Sequence, residues 1–135
     1  MKLILTKADM ISALDKFGVG YRCPVYAGVR NMTFFASRSN QKFGYAALSD
    51  NDSLIIADYD MLMKESLYEI PLLSILSVKA KRMPIIGTNI VKLEFLYEGK
   101  KMRFDLTISP KVIGSDFDEQ GENAEALINE LKYYA

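Results

Sequence analysis

The sequence contains no histidine, no tryptophan and a single cysteine, Cys23, among 135 residues. Without histidine, His-dependent acid–base catalysis, Ser–His and Cys–His nucleophile pairs and the common zinc sites are excluded. Cys23 has no second cysteine in the chain with which to form a disulfide, so we interpret it as a small buried hydrophobic residue. We therefore predict that the protein is not an enzyme and holds no metal and no cofactor.

The chain also lacks an excess of charge of either sign and any long hydrophobic run. Lys plus Arg and Asp plus Glu both number 17, so no net field draws the protein to nucleic acid, and we expect none as a partner. The longest charge-free stretches, residues 70–78 and 83–91, are far shorter than the ~20 residues of a membrane-spanning helix. Three apolar residues between Lys2 and Lys7 are too few for a signal peptide, so we expect a cytoplasmic protein.

Length and composition predict one domain over residues 1–135, since 50% of the residues are apolar and 25% are charged. Near the start, Thr6 can cap a helix over residues 7–17, and the glycine-rich segment 18–20 ends it. The apolar residues of this helix recur at helical spacing: Met10, Ile11, Leu14 and Phe17. The sequence leaves open whether the helix packs on its own domain or on a neighbouring molecule.

Between residues 21 and 108 the apolar pattern has a period of two, which predicts strands. The predicted strands cover residues 21–30, 32–37, 43–48, 54–59, 66–70, 75–82, 90–97 and 101–108. Pro24 indicates an edge position or a bulge, because proline cannot donate a backbone hydrogen bond to a neighbouring strand.

The last segment, residues 121–134, predicts an amphipathic helix with one buried face. Its apolar stripe consists of Ala124, Leu127, Ile128, Leu131 and Tyr134. The predicted fold is therefore mainly β with α: about seven antiparallel strands curl into a partly open barrel, and the C-terminal helix caps it.

Several stretches carry a likeness to a known superfold. They are residues 44–50 followed by 53–56, residues 68–78 with an Ile70–Pro71 step between two strands, and the strand pair 91–95 and 101–104. In this order, and with the terminal helix, the chain resembles the pleckstrin-homology superfold, in particular the small bacterial pleckstrin-homology-like domains and the GRAM domains. The resemblance implies a barrel that acts by binding and not by catalysis.

Charge along the chain is distributed in blocks. The net charges of residues 1–49, 50–75, 76–111 and 112–135 are +5, −5, +5 and −5. Such blocks can mark complementary faces for self-association or for a partner, but more often they belong to a solvated surface whose blocks neutralise one another in the fold.

Four consecutive apolar residues form the first candidate binding site: Met83, Pro84, Ile85 and Ile86. Apolar side chains in a loop are costly to leave in water, so we expect this loop to contact a protein partner or a second copy of the chain. The opposing interpretation is that the segment folds back and packs beneath the barrel.

Basic residues form the alternative site, in which Lys79, Lys81 and Arg82 bind an anionic lipid headgroup and the protein is a peripheral membrane module. A second basic cluster, residues 100–103, is predicted at the other end of strand 90–97, about 25 Å away at ~3.3 Å per residue. Two acidic patterns are interpreted as structural: residues 116–121 as a charged loop and not a calcium site, and Asp58 with Asp60 as a hairpin end in water.

Overall fold

The computed structural model describes residues 6–33, 41–112 and 116–134. Along the chain, one α-helix precedes the seven strands and a second follows them, as predicted. The elements are α1 Lys7–Asp15, β1 Tyr21–Asn31, β2 Lys42–Ser49, β3 Ser53–Tyr59, β4 Glu65–Pro71, a 3-10 helix Leu72–Ser74, β5 Ile75–Arg82, β6 Asn89–Tyr97, β7 Lys100–Ile108 and α2 Gln120–Tyr133.

Two predicted boundaries differ from the structure. Helix α1 ends at Asp15, because the chain turns there: the Gly18 N–H donates to the Asp15 carbonyl (3.0 Å), and Gly18 has a φ of +70°. The predicted strand 32–37 lies mostly outside the described residues, and β1 ends at Asn31. The other predicted strands match β1–β7 to within one or two residues at each end.

All seven strands form one antiparallel sheet in the order β4-β3-β2-β1-β7-β6-β5. Strand β1 is central, and β4 and β5 are the two edges. The sheet is curled, as contacts between its two halves show. The ring of Tyr68 on β4 packs against Tyr97 of β6 and Phe104 of β7, with centroids 5.9 and 5.1 Å apart. Curling brings the inner faces of both halves together, as expected for a partly open barrel.

Helix α2 packs one face against the inside of this curled sheet. Leu127, Ile128 and Leu131 are buried in the interior core, which confirms the predicted apolar face of the helix. The same core contains inward side chains from β1 to β7, including Phe95 and Phe104, whose rings meet edge to face. The interior core therefore joins the sheet and the last helix into one unit.

On the side of β1 that faces β7, side chains of α2 form hydrogen bonds with the backbone of its first half, where β7 does not pair with it. A bulge shifts the register between Arg22 and Val25, as Pro24 predicted, and β7 pairs with β1 only from Gly28 onwards. Gln120 bonds to the backbone of β1 as a neighbouring strand would. Its Oε1 accepts from the Tyr26 N–H (2.9 Å) and its Nε2 donates to the Tyr26 carbonyl (2.8 Å). The helix is thereby fixed to the middle of the sheet.

A second core lies on the outer face of β2 and β3. There α1 contributes Met10, Ala13 and Leu14, and Phe117 packs with them against the two strands. The Lys7 N–H also donates to the Asp116 carboxylate (2.6 Å), so the acidic loop meets the start of α1. In the structure, the N-terminal helix therefore packs on its own domain.

Candidate functional site: the β5–β6 loop and its surroundings

The loop between β5 and β6 is an ordered turn. The Met83 N–H donates to the Thr88 carbonyl (2.8 Å), and the Gly87 N–H donates to the Met83 carbonyl (3.0 Å). Gly87 has a φ of +70°, which a residue with a side chain rarely adopts. The backbone thus presents the residues between Met83 and Gly87 in a defined orientation.

The side chains at the tip of this loop are in water. Ile85 is 98% exposed and Ile86 is 62% exposed, and Met83 and Pro84 are also exposed. The interpretation in which the segment packs beneath the barrel is wrong, because Thr88 is the first residue of the loop that is buried. An aliphatic side chain that stays in water forgoes about 1.5–3 kcal/mol of burial free energy.

A shallow hollow lies beside the loop. A Cβ placed on Gly87 would stand 3.6 Å from the Pro110 Cγ, and Pro110 forms part of the hollow wall. The hollow has a volume of about 370 Å³, many times the ~30 Å³ that one water occupies in the liquid. Its lining residues are Pro110, Lys111, Val112, Phe117, Asp118, Gly121 and Glu122. It thus combines apolar residues with two exposed acids, Asp118 and Glu122, and one exposed base, Lys111.

A larger groove runs between the edge strand β5 and helix α2. Its volume is about 520 Å³, and Ala80 and Ile128 contribute apolar surface to it. Arg82 and Lys132 line this groove together with Glu122 and Glu125. The region beside the apolar loop therefore carries charges of both signs.

The predicted basic site is divided by the pleat of β5. Val78 and Ala80 pack against the interior core, so Lys79 and Lys81 lie on the outer face of the sheet. Arg82, in contrast, lines the groove beside α2. The three predicted residues therefore do not share one surface.

Lys92 is a basic residue that the sequence argument missed. It lies on β6 directly opposite Lys79, and both side chains are exposed. Like charges opposite one another on a sheet repel, whereas Asp105, which lies opposite Lys92 on β7, attracts it. The signal was the strand alternation of β6, which could be combined with β5 only once the register was known.

The second basic cluster is largely neutralised on the same outer face. Lys101 pairs with Glu94 at 3.1 Å, and Arg103 Nε lies 3.6 Å from Asp105 Oδ1. Lys101, through its hydrogen bond and its charge, lowers the pKa of Glu94. These bases are therefore less available to an external anion than Lys79, Lys81 and Lys92.

A second apolar loop, between β3 and β4, was also missed. Met61 and Leu62 are 88% and 89% exposed, in a turn that Asp60 fixes by accepting from the Leu62 and Lys64 N–H groups at 2.9 Å. The directions of the antiparallel strands place this turn at the opposite end of the sheet from the β5–β6 loop. Leu62 thus provides a matched control for Ile85.

The prediction that Asp58 lies at a hairpin end in water is wrong. Asp58 is 2% exposed and faces inward from β3, between Gly44 and Ser66 on the neighbouring strands. Burial raises the pKa of its carboxyl, and the Asp60 charge adds to this, while the Lys42 charge and the Ser66 hydroxyl oppose it. Among the residues that the structure describes, none forms a hydrogen bond with its Oδ1.

Neither a metal site nor a membrane-spanning helix is found in the described part of the chain. Among residues 6–33, 41–112 and 116–134, no three acidic or cysteine side chains are grouped so that they could hold a metal ion. No helix within these ranges has the length and apolar character needed to cross a membrane. No protein-family model matches the chain, and no curated protein matches it significantly in sequence.

Proposed function

We propose that this protein is a non-enzymatic binding module whose β5–β6 loop contacts another protein. The observation that carries the proposal is the near-complete exposure of Ile85 at the tip of a hydrogen-bonded turn. An ordered loop loses little conformational entropy on binding, and its apolar tip gains burial free energy.

Charges near the loop favour a protein over a membrane as the partner. The two depressions beside it are lined by three acids, Asp118, Glu122 and Glu125, and by three bases, Arg82, Lys111 and Lys132. An anionic membrane would repel the three carboxylates, whereas a protein surface can match both signs. The mixed rim around an apolar centre is also the usual composition of a protein interface.

The likeness to pleckstrin-homology-like domains remains part of the proposal. The strand order with β4 and β5 at its edges and the packing of one face of α2 against the inside of the curled sheet support a domain of that kind. We also place the protein in the cytoplasm, which its single cysteine, Cys23, supports.

Photo-crosslinking inside the cell of origin tests the proposal. A photoreactive amino acid is introduced at position 85, and a second chain carries it at Leu62 as the matched control. We expect a discrete protein adduct from position 85 that the control does not give and that Ile86→Asp weakens. The absence of a protein adduct from position 85, or the same adducts from both positions, would contradict the proposal.

An anionic membrane surface is a second candidate, favoured by the three exposed lysines on β5 and β6. Lys79 and Lys92 face each other in register, and Lys81 follows on the same face. Sedimentation with vesicles of phosphatidylserine and phosphatidylcholine tests this candidate. It predicts binding at low salt that decreases at high salt and with Lys79→Glu, while the absence of binding at low salt would exclude it.

A further inference from the structure

We infer that the partner of the β5–β6 loop is a second copy of this chain, and that Ile85 of each copy occupies the hollow beside Pro110 in the other. The inference rests on the proposed function and names the occupant of its site. Three features of the described residues carry it: the position of the hollow, its chemistry, and the charges around it.

The hollow lies beside the β5–β6 loop at the same end of the molecule, because Gly87 of the loop and Pro110 of the hollow are almost in contact. When a projecting side chain and its receiving hollow lie side by side, a twofold axis between them lets both copies insert at once. The contact then closes as a symmetric dimer and does not continue into a filament.

The chemistry of the two surfaces is complementary. The projecting surface has the apolar tip Ile85 and Ile86, preceded in β5 by the cations Lys81 and Arg82. The hollow has an apolar floor, to which Pro110 and Phe117 contribute, and its exposed lining residues are the acids Asp118 and Glu122 and the base Lys111. In the dimer the apolar tip contacts the apolar floor, and Lys81 and Arg82 lie against a rim in which acids outnumber bases.

Within one copy, Lys81 and the rim acids are kept apart by the sheet. Lys81 lies on the outer face of β5, whereas Asp118 and Glu122 lie at the start of α2, which packs on the inner face. None of the three forms an ion pair with another described residue. A second copy allows these opposite charges to meet.

The molar mass in solution is the first test. Light scattering on the purified full-length chain, across a concentration series, is expected to approach twice 15.3 kDa. Ile85→Asp should weaken dimerisation about tenfold or more, because it places a charge in an apolar contact. Leu62→Asp, an equally exposed control, should leave it unchanged, and far-UV circular dichroism confirms that both variants fold.

Charge reversal tests the orientation of the two copies. Lys81→Glu and Asp118→Lys should each raise the dissociation constant severalfold, since each places like charges together. The two substitutions in one chain restore opposite charges at both contacts, so the double variant should recover most of the affinity. A dimer that is insensitive to Ile85→Asp, or a double variant weaker than both single variants, would overturn the inference.

Disulfide capture tests the contact itself. In a Cys23→Ser background, chains with Ile85→Cys are mixed with chains carrying Lys111→Cys, a substitution at the exposed wall of the hollow. We expect a linked heterodimer that Leu62→Cys does not form with Lys111→Cys. Equal linkage from the control would contradict the assigned position.

The failure of this inference and the failure of the proposed function can be told apart. A monomeric chain whose position 85 still crosslinks to a different protein in the cell overturns the second copy as the occupant and keeps the binding loop. A monomeric chain with no adduct at position 85 overturns both.

Discussion

The two halves of the sheet differ in what covers their outer faces. Strands β2 and β3 are buried on both faces, since the curled sheet encloses the inner one and α1 with Phe117 covers the outer one. Strands β5 and β6 are buried on one face only, and their outer face exposes Lys79, Lys81 and Lys92. Strands β2 and β3 thus bury apolar side chains on both faces, whereas the outer face of β5 and β6 is exposed.

This difference is visible in the residues themselves. The segment Leu54–Ile55–Ile56–Ala57 is continuously apolar, as expected for a strand covered on both sides. Strand β5 alternates between apolar and basic residues instead, as expected for a strand with one wet face. The β5–β6 loop adjoins this open half, so its exposed isoleucines extend a surface that is already free.

The largest effect is expected where α1 covers β2 and β3. Leu14 is fully buried there, so Leu14→Ala should lower the free energy of unfolding by about 2–5 kcal/mol. Leu96→Ala on the outer face of β6, where the side chain is 44% exposed, should cost less than about 1 kcal/mol. Urea unfolding of the two variants measures the difference, and equal losses would break the comparison.

The next largest effect concerns the helix that joins the two halves. Gln120 is 2% exposed and makes two hydrogen bonds to Tyr26 and a third to the Ser109 carbonyl (3.1 Å). Gln120→Leu leaves these backbone groups without partners, which should cost about 2–3 kcal/mol. Asn129→Ala on the exposed side of α2 is the control. If Gln120→Leu lowers the free energy of unfolding no more than this control does, the role of Gln120 is refuted.

The buried carboxylate of Asp58 lowers the stability of the half of the sheet that α1 covers. Burial raises the pKa of Asp58, so the folded chain binds more protons than the unfolded chain between the unfolded pKa of about 3.9 and the higher folded value. In that window the free energy of unfolding falls as pH rises. Asp58→Asn should therefore stabilise the protein at neutral pH, by about 1 kcal/mol, and reduce this slope. A variant that is less stable than the parent at pH 7 would contradict this account.

The smallest effect is expected on the open half. Lys79→Glu replaces a repulsive cross-strand pair with an attractive one opposite Lys92, but it also removes the favourable charge of Lys79 near Glu94, so stability should change by about 0.5 kcal/mol or less in either direction. The change should shrink as salt is added. A loss above 1 kcal/mol in thermal unfolding would show that this face carries stability after all.

Most of the fold could be predicted from the sequence because period and turn chemistry are local signals. Pro24 indicated the bulge in β1, and the stripe containing Leu127 and Leu131 indicated the face of α2 that is buried. The position of α1 could not be derived, because it depends on a long-range contact with β2 and β3. The continuous apolar run of β3 was the signal for such a cover.

The candidate site was predictable in part. Four successive apolar residues identified the loop 83–86, but exposure depends on what else packs there, so the sequence left two interpretations open. Lys92 and Gln120 were missed because their neighbours, Lys79 and Tyr26, come close through strand register and helix placement. Leu62 was missed although Met61, Leu62 and Met63 are three successive apolar residues in a turn, which is the same kind of signal that identified the loop 83–86.

Hydrogen exchange of the purified chain, compared between a dilute and a concentrated sample, tests the central claim most directly. The account predicts that concentration slows exchange at the amides of Ile85, Ile86 and the hollow around Asp118, and leaves β2 and β3 unchanged. Exchange that is independent of concentration at the loop, or protection that appears on the covered half instead, would contradict it.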